Sequence, residues 1–143
     1  MFLGEFRHSI DKKGRVILPA KFRDALKDGV VVTRGLDNCL WIFSKTEWVQ
    51  VEDGIRKLSL TKNNARKFTR FLLSGASEEE LDRQGRISLP QQLREHAGLE
   101  RDIVIIGVSD RLEIWSKENW DKYAKEAEGS FADVAEELTE FGI

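Results

Sequence analysis

One thirteen-residue pattern occurs twice in this chain, and it constrains the fold more than any other feature. Residues 11–23 read Asp-Lys-Lys-Gly-Arg-Val-Ile-Leu-Pro-Ala-Lys-Phe-Arg, and residues 82–94 read Asp-Arg-Gln-Gly-Arg-Ile-Ser-Leu-Pro-Gln-Gln-Leu-Arg. The offset is 71 (82 − 11), and Asp, Gly, Arg, Leu, Pro and the closing Arg coincide. The match resumes at an offset of 72: Gly35 falls on Gly107, Leu40 on Leu112, Ser44 and Lys45 on Ser116 and Lys117, and Trp48 on Trp120. One inserted residue accounts for the change. A doubled half-domain builds a pseudo-symmetric unit, and the differences between its copies show where function has concentrated.

Both copies follow one coarse plan. In the first, residues 5–10 alternate, with Phe6, His8 and Ile10 on one side, as a half-buried strand requires. Asp11 to Gly14 is a turn, and Arg15 to Leu18 a short strand. Pro19 suits the first position of a helix that carries Phe22 and Leu26 on one face. Gly29 ends it. Residues 30–33 and 40–43 read as two more strands around a turn-rich stretch at 34–38. Ser44, with Glu47 three residues on, forms a capping box that opens a helix striped by Trp48, Val51 and Ile55. The second copy repeats the order, with a helix from Pro90 to Ala97 and another from Lys117. A helix over about 61–73 joins the copies, and a final acidic helix over about 131–141 carries Phe131, Val134, Ala135, Leu138 and Phe141. A few short strands with one apolar face are too little to stand alone. The simplest solution packs the halves together, with interleaved strands as one way to do it.

The net charge of −2 conceals a division. Residues 1–71 hold 15 Lys/Arg against 8 Asp/Glu, and residues 72–143 hold 8 against 17. A polyanion partner for the first half explains this, as does complementary packing between neighbouring chains; differing solvated faces are the plainer reading. Asp at the first and Gly at the fourth position of the Asp11–Gly14 turn fit a type I turn with a glycine bulge. Lys12 and Lys13 then occupy its corners, Arg15 leaves on the outgoing strand, and Arg7 and His8 lie on the incoming one. Such a two-stranded ribbon fits the major groove of DNA. Lysines supply phosphate charge, and an arginine can bind guanine in two places. A plain hairpin with solubilising lysines is the alternative. At the second tip Asp82, Gly85 and Arg86 are kept and Arg83 follows Asp82, but Arg7-His8-Ser9 gives way to Glu78-Glu79-Glu80. The first hairpin is therefore expected to lead contact, with Arg83 and Arg86 assisting. Lys62, Arg66 and Arg70 share one face of the joining helix, read as a solvated basic face.

Other chemistries find little support. The two histidines, His8 and His96, read as structural or surface residues, and the single Cys39 reads as a small core residue and allows no intrachain disulfide. No zinc-ligand spacing, Walker loop or dinucleotide fingerprint occurs. No apolar run approaches the roughly 20 residues of a membrane helix, and the N-terminus lacks a signal-peptide pattern. The expectation is a cytoplasmic protein that is not an enzyme and needs neither cofactor nor metal.

The paired Asp-x-x-x-Arg at Asp11/Arg15 and Asp82/Arg86, with Arg-Gly-Leu-Asp at 34–37 and Phe-Leu-Leu-Ser-Gly-Ala at 71–76, resembles the MraZ family of bacterial transcriptional regulators. The likeness spans nearly the whole chain. It implies an α+β fold of two tandem pseudo-symmetric AbrB/SpoVT-like swapped-hairpin units, forming one barrel-like core with peripheral helices. The units are expected at 5–47 and 76–119, with connecting helices at 48–75 and C-terminal helices at 120–143. The resemblance also implies a nucleoid-associated repressor of the division and cell-wall gene cluster, its own gene included. It would bind repeated promoter boxes in double-stranded DNA as a homo-oligomeric ring. DNA contact would fall to Lys13, Arg15 and Arg86, to which the charge pattern adds Arg7 and Lys12; Asp11, Gly14, Asp82 and Gly85 would hold the turns. The second copy's acidic strand departs from a DNA-binding surface. The runner-up is a protein-interaction module such as an antitoxin of the same fold.

Overall fold

The computed structural model describes residues 1–142. Eight strands and four α-helices are distributed along it. The strands are β1 (Phe2–Ser9), β2 (Arg15–Ile17), β3 (Val30–Arg34), β4 (Leu40–Ser44), β5 (Ser77–Glu79), β6 (Arg86–Ser88), β7 (Asp102–Ser109) and β8 (Leu112–Ser116). The helices are α1 (Lys45–Arg56), α2 (Asn63–Ser74), α3 (Gln91–His96) and α4 (Lys117–Glu137).

Six strands form one antiparallel sheet in the order β1-β7-β8-β4-β3-β5, and β2 pairs with β6 in a separate two-stranded ribbon. The copies exchange strands. β1 of the first copy lies along β7 of the second, from Phe2 opposite Ser109 to Ser9 opposite Asp102. In return β5 of the second lies on β3 of the first, Val30 opposite Glu79. The seam between them is β4 on β8, with Trp41 opposite Glu113. In the ribbon Val16 stands opposite Ile87. Both of these pairs join positions equivalent by the sequence repeat, so one pseudo-two-fold axis runs through the middle of the ribbon and the middle of the sheet.

Two departures from expectation follow. The six-stranded sheet stays open, with β1 and β5 as its edges, so the core is not a barrel. And β1 does not fold back on β2, so no hairpin of one copy forms the basic ribbon. β1 instead gains a long register on β7 and places Phe2 and Phe6 edge-on to Phe22. The ribbon takes one strand from each copy, and the facing pair Val16 and Ile87 points inward and is buried.

The core lies between ribbon and sheet. Val16, Leu18, Leu26, Val30, Val32, Leu40 and Ile42 meet Ile87, Leu89, Leu93, Ile103, Ile105, Leu112 and Ile114 there. Val104, Ile106 and Trp115 point to the opposite face, where Trp41 and Trp120 cover them. With both faces covered, β3 and β7 read as unbroken apolar runs rather than alternating ones. Gly107 is needed where β1 crosses, because a Cβ there would run into the backbone of Phe2 and Leu3.

The caps match the pattern at Ser44, whose Oγ accepts the Glu47 N–H at 3.2 Å, and at Ser116, which does the same for Asn119 at 3.1 Å. The prolines do not: Pro19 and Pro90 sit at N-cap positions in extended conformation. After Pro19 there is only a 3-10 turn, Ala20–Phe22, although Phe22 and Leu26 are buried as the helical spacing required. The separate C-terminal helix is absent as well. α4 runs unbroken from Lys117 to Glu137, followed by a 3-10 turn at Thr139–Phe141. Gly129 is an isolated weak helix former among Ala, Glu and Lys, which does not suffice to break it.

Candidate nucleic-acid interface

Each repeat places an arginine on the ribbon by the same local device. Asp11 Oδ1 accepts the N–H groups of Lys13 and Arg15, both at 2.9 Å, and its Oδ2 accepts Arg15 Nε at 2.8 Å. Asp82 repeats this with Gln84, Arg86 and Arg86 Nε at 2.9, 2.9 and 2.7 Å. The carboxylate closes its own turn, as Asp side chains do, and then fixes the guanidinium that follows. Both carboxyls lie below their ordinary range, held there first by the arginine backbone N–H; desolvation opposes this, and the guanidinium and the second turn N–H add to the lowering. Gly14 and Gly85 take φ of 77° and 79°, the left-handed conformation that closes each turn.

A second pair of arginines ties the turns together. Arg23 Nε donates to Leu18 O at 3.0 Å and Arg94 Nε to Leu89 O at 2.9 Å. Each then crosses to the other copy: Arg94 lies over Gly14, and Arg23 over Gly85. The backbone crosses too, Leu18 N–H to Gly85 O and Leu89 N–H to Gly14 O, both at 2.9 Å. The repeat signalled this pair, because Arg23 and Arg94 are the closing arginines of the two matched stretches. Their role is not legible from spacing, since each works across the axis.

Val16 and Ile87 point inward, so Arg15, Ile17, Arg86 and Ser88 form the outer face. Arg15 stands opposite Ser88, and Arg86 opposite Ile17. The strands are antiparallel, so the turns lie at opposite ends of the ribbon. Lys12 and Lys13 are exposed at one end and Arg83 at the other. Among the described residues, the terminal nitrogens of Arg15 and Arg86 make no hydrogen bond within the chain. The ribbon is thus a joint product of both copies, and Arg86 is placed as Arg15 is.

Arg7 is placed elsewhere. Its Nη2 bonds Asp121 Oδ1 at 2.8 Å and Glu5 Oε2 at 3.1 Å. These partners raise its pKa further, the Asp121 hydrogen bond foremost. Arg7 therefore braces β1 against α4, and the structure does not bring it to Arg15 and Arg86. The glutamates matched to Arg7, His8 and Ser9 lie on and just after the edge strand β5. Glu78 Oε2 lies 3.6 Å from Lys45 Nζ.

The motifs at 34–37 and 71–76 meet away from the ribbon. Arg34, itself buried, donates to Phe71 O at 2.6 Å and Ser74 Oγ at 3.2 Å, and its guanidinium lies 3.8 Å from the centre of the Phe71 ring. Thr33 Oγ1 donates to Leu72 O at 2.6 Å. A cation and a hydroxyl thus satisfy the carbonyls at the end of α2, where the helix dipole favours positive charge. At the seam, Glu113 accepts the indole N–H groups of Trp41 and Trp115 at 2.9 and 3.1 Å and the Arg111 guanidinium at 2.9 Å. Burial pushes the Cys39 thiol up to about 12, with Glu113 adding to the shift, which keeps it protonated. Among the described residues, no three His, Cys, Asp or Glu side chains gather as a metal site, and no helix is long and apolar enough to cross a membrane.

Known proteins agree with this doubled architecture. The family model described as "MraZ protein, putative antitoxin-like" matches twice, over residues 1–71 and 72–142. A protein of Natranaerobius thermophilus named "Transcriptional regulator MraZ" is 62% identical over 143 residues, covering 100% of both chains. Proteins of the same name from Caldanaerobacter subterraneus subsp. tengcongensis and Thermoanaerobacter pseudethanolicus are each 54% identical, again over 100% of both chains. With the family model matched on both halves and these relatives matched over their whole length, the chain belongs to the MraZ family.

Proposed function

We propose that the chain is a sequence-specific DNA-binding transcriptional regulator without catalytic activity. The observation that carries this is the pair Arg15 and Arg86, each oriented by its own turn aspartate on the exposed face of one antiparallel ribbon. Their Cα atoms are offset by two residues along the ribbon, roughly 7 Å at about 3.4 Å per residue. That is close to two base-pair steps. A two-stranded ribbon enters the major groove, and an arginine there can bind guanine O6 and N7 together. Lys12, Lys13 and Arg83 then meet the phosphates to either side, and Asp11, Gly14, Asp82 and Gly85 hold the turns. The relatives' names support a role in transcription regulation. In the finer reading the protein represses the division and cell-wall gene cluster, its own gene included. It does so on the nucleoid, as a homo-oligomeric ring whose many weak ribbons engage repeated promoter boxes by avidity.

Titrations of promoter and scrambled DNA against salt test this. Non-specific affinity should fall with a log–log slope of about −0.9 per phosphate neutralised. Arg15→Ala and Arg86→Ala should each cost about 1–3 kcal/mol on promoter DNA and relax discrimination. Lys13→Ala should weaken both DNAs alike. Equal losses on both DNAs for the arginine variants would show that they do not read sequence.

A further inference from the structure

α4 carries an apolar stripe longer than the surface that covers it. Trp120, Tyr123, Ala127, Phe131, Val134 and Leu138 recur at helical spacing along one face. The first turns of the helix rest on the sheet, with the Trp115 ring 5.3 Å from Trp120 and 4.9 Å from Tyr123. Past Lys125 every side chain through Glu140 is exposed. Phe131 is 77% exposed, and Val134 and Leu138 are open beside it. The matched helix of the first copy, α1, ends at Arg56, so this extension belongs to the second copy alone. At about 1.5 Å per residue, α4 is roughly 31 Å long, and its outer half continues the stripe over nothing.

The first copy holds the opposite shape. An open cleft of about 980 Å³ lies between the 34–38 loop and α2, walled by Leu36, Phe68 and Phe71 and rimmed by Lys67, Arg70 and His96. Leu36 is 60% and Phe71 54% exposed. The charges are opposite as well. α2 contains Arg66, Lys67 and Arg70 and no acid, while residues 126–137 contain Glu126, Glu128, Asp133, Glu136 and Glu137 and no base. α4 is one unbroken helix anchored on β7 and β8, and its own cleft does not cover it.

We propose that the outer half of α4 docks in the α2 cleft of a second copy of this chain. Phe131, Val134 and Leu138 enter against Leu36, Phe68 and Phe71, and the acidic flanks face Lys67 and Arg70. The joint uses different surfaces on its two sides, so each molecule offers one helix and one cleft. Such head-to-tail contacts propagate, and they close into a ring when the rotation permits. This inference rests on the self-assembly in the function proposed above and names the surfaces that make it.

Two variants of the full chain test the joint, with mass read by sedimentation velocity and native mass spectrometry. Phe131→Asp with Leu138→Asp spoils the helix, and Lys67→Glu with Phe68→Asp spoils the cleft. Either alone should weaken self-association by roughly tenfold or more, since each sets a buried or like charge in the contact. Mixed in equal amounts they should form a 1:1 pair and nothing larger, because only the intact helix of one and the intact cleft of the other can join. A mixture that stays monomeric overturns the proposal. Variants that keep the parent's mass also overturn it, while leaving assembly by another surface standing. A parent that is itself monomeric removes both this joint and the ring. Tryptophan fluorescence checks that each variant is folded. Should the cleft variant unfold, reversing Arg66, Lys67 and Arg70 to Glu alongside Asp133, Glu136 and Glu137 to Lys replaces it. Either reversal alone should weaken assembly and the two together restore it; no restoration overturns the proposal.

Discussion

Asp11 and Asp82 each do three things with two oxygens: close a turn, order the backbone that enters the ribbon, and aim an arginine. All three are strongest in the charged form, and the ion pair to the arginine requires it. Their pKa values are lowered in the folded chain, so they contribute stability that is present above the unfolded carboxylate value of about 3.9 and lost as pH falls through the lowered folded value. The urea midpoint of the whole chain should therefore decline on acidification below about pH 4. The double variant Asp11→Asn, Asp82→Asn should show a shallower decline, with the remainder due in part to Asp121, which Arg7 and Lys117 also hold low. An identical pH profile for parent and variant would place the acid sensitivity elsewhere. Asp11, Arg15, Asp82 and Arg86 were legible in the sequence because a turn aspartate and the arginine four residues on interact locally. The pairing of Arg7 was not legible, for the converse reason. Its partner Asp121 lies more than a hundred residues away, and a charge count cannot distinguish a free cation from a neutralised one.

At the scale of elements, local periodicity located most strands and helices, and what it missed was partnership. The strand from Arg15 was visible, but its mate could not be read from residues beside it, because β6 lies in the other copy. The bond that explains the two shared motifs is equally non-local: Arg34 reaches the last turn of α2. Replacing it by Met keeps most of the packing volume and removes the donors from Phe71 O and Ser74 Oγ. Arg34→Met should cost about 2–3 kcal/mol, within the range for hydrogen bonds from a charged group. Hydrogen exchange of the α2 amides should rise more than that of β7. Unchanged protection of α2 would mean that Thr33 and Leu72 hold the helix without the arginine.

At the scale of the molecule, neither copy owns a complete sheet. β1 finds its partner only in the second copy and β5 only in the first, while the core draws on both. Residues 1–71 and 72–143 made as separate chains should each lack a cooperative urea transition as monomers, and an equimolar mixture should regain one, followed by tryptophan fluorescence. A half that unfolds cooperatively by itself as a monomer would contradict the interdependence of the copies. Joining both copies in one polypeptide has a further consequence at the seam. In a dimer of identical chains, any residue on the two-fold must face its own twin, and two glutamates there would repel. Here the twin positions hold Trp41 and Glu113, which bond to each other instead. Covalent fusion thus permits at the centre of the molecule a donor–acceptor pair that strict symmetry forbids, and it frees either copy to specialise without the other.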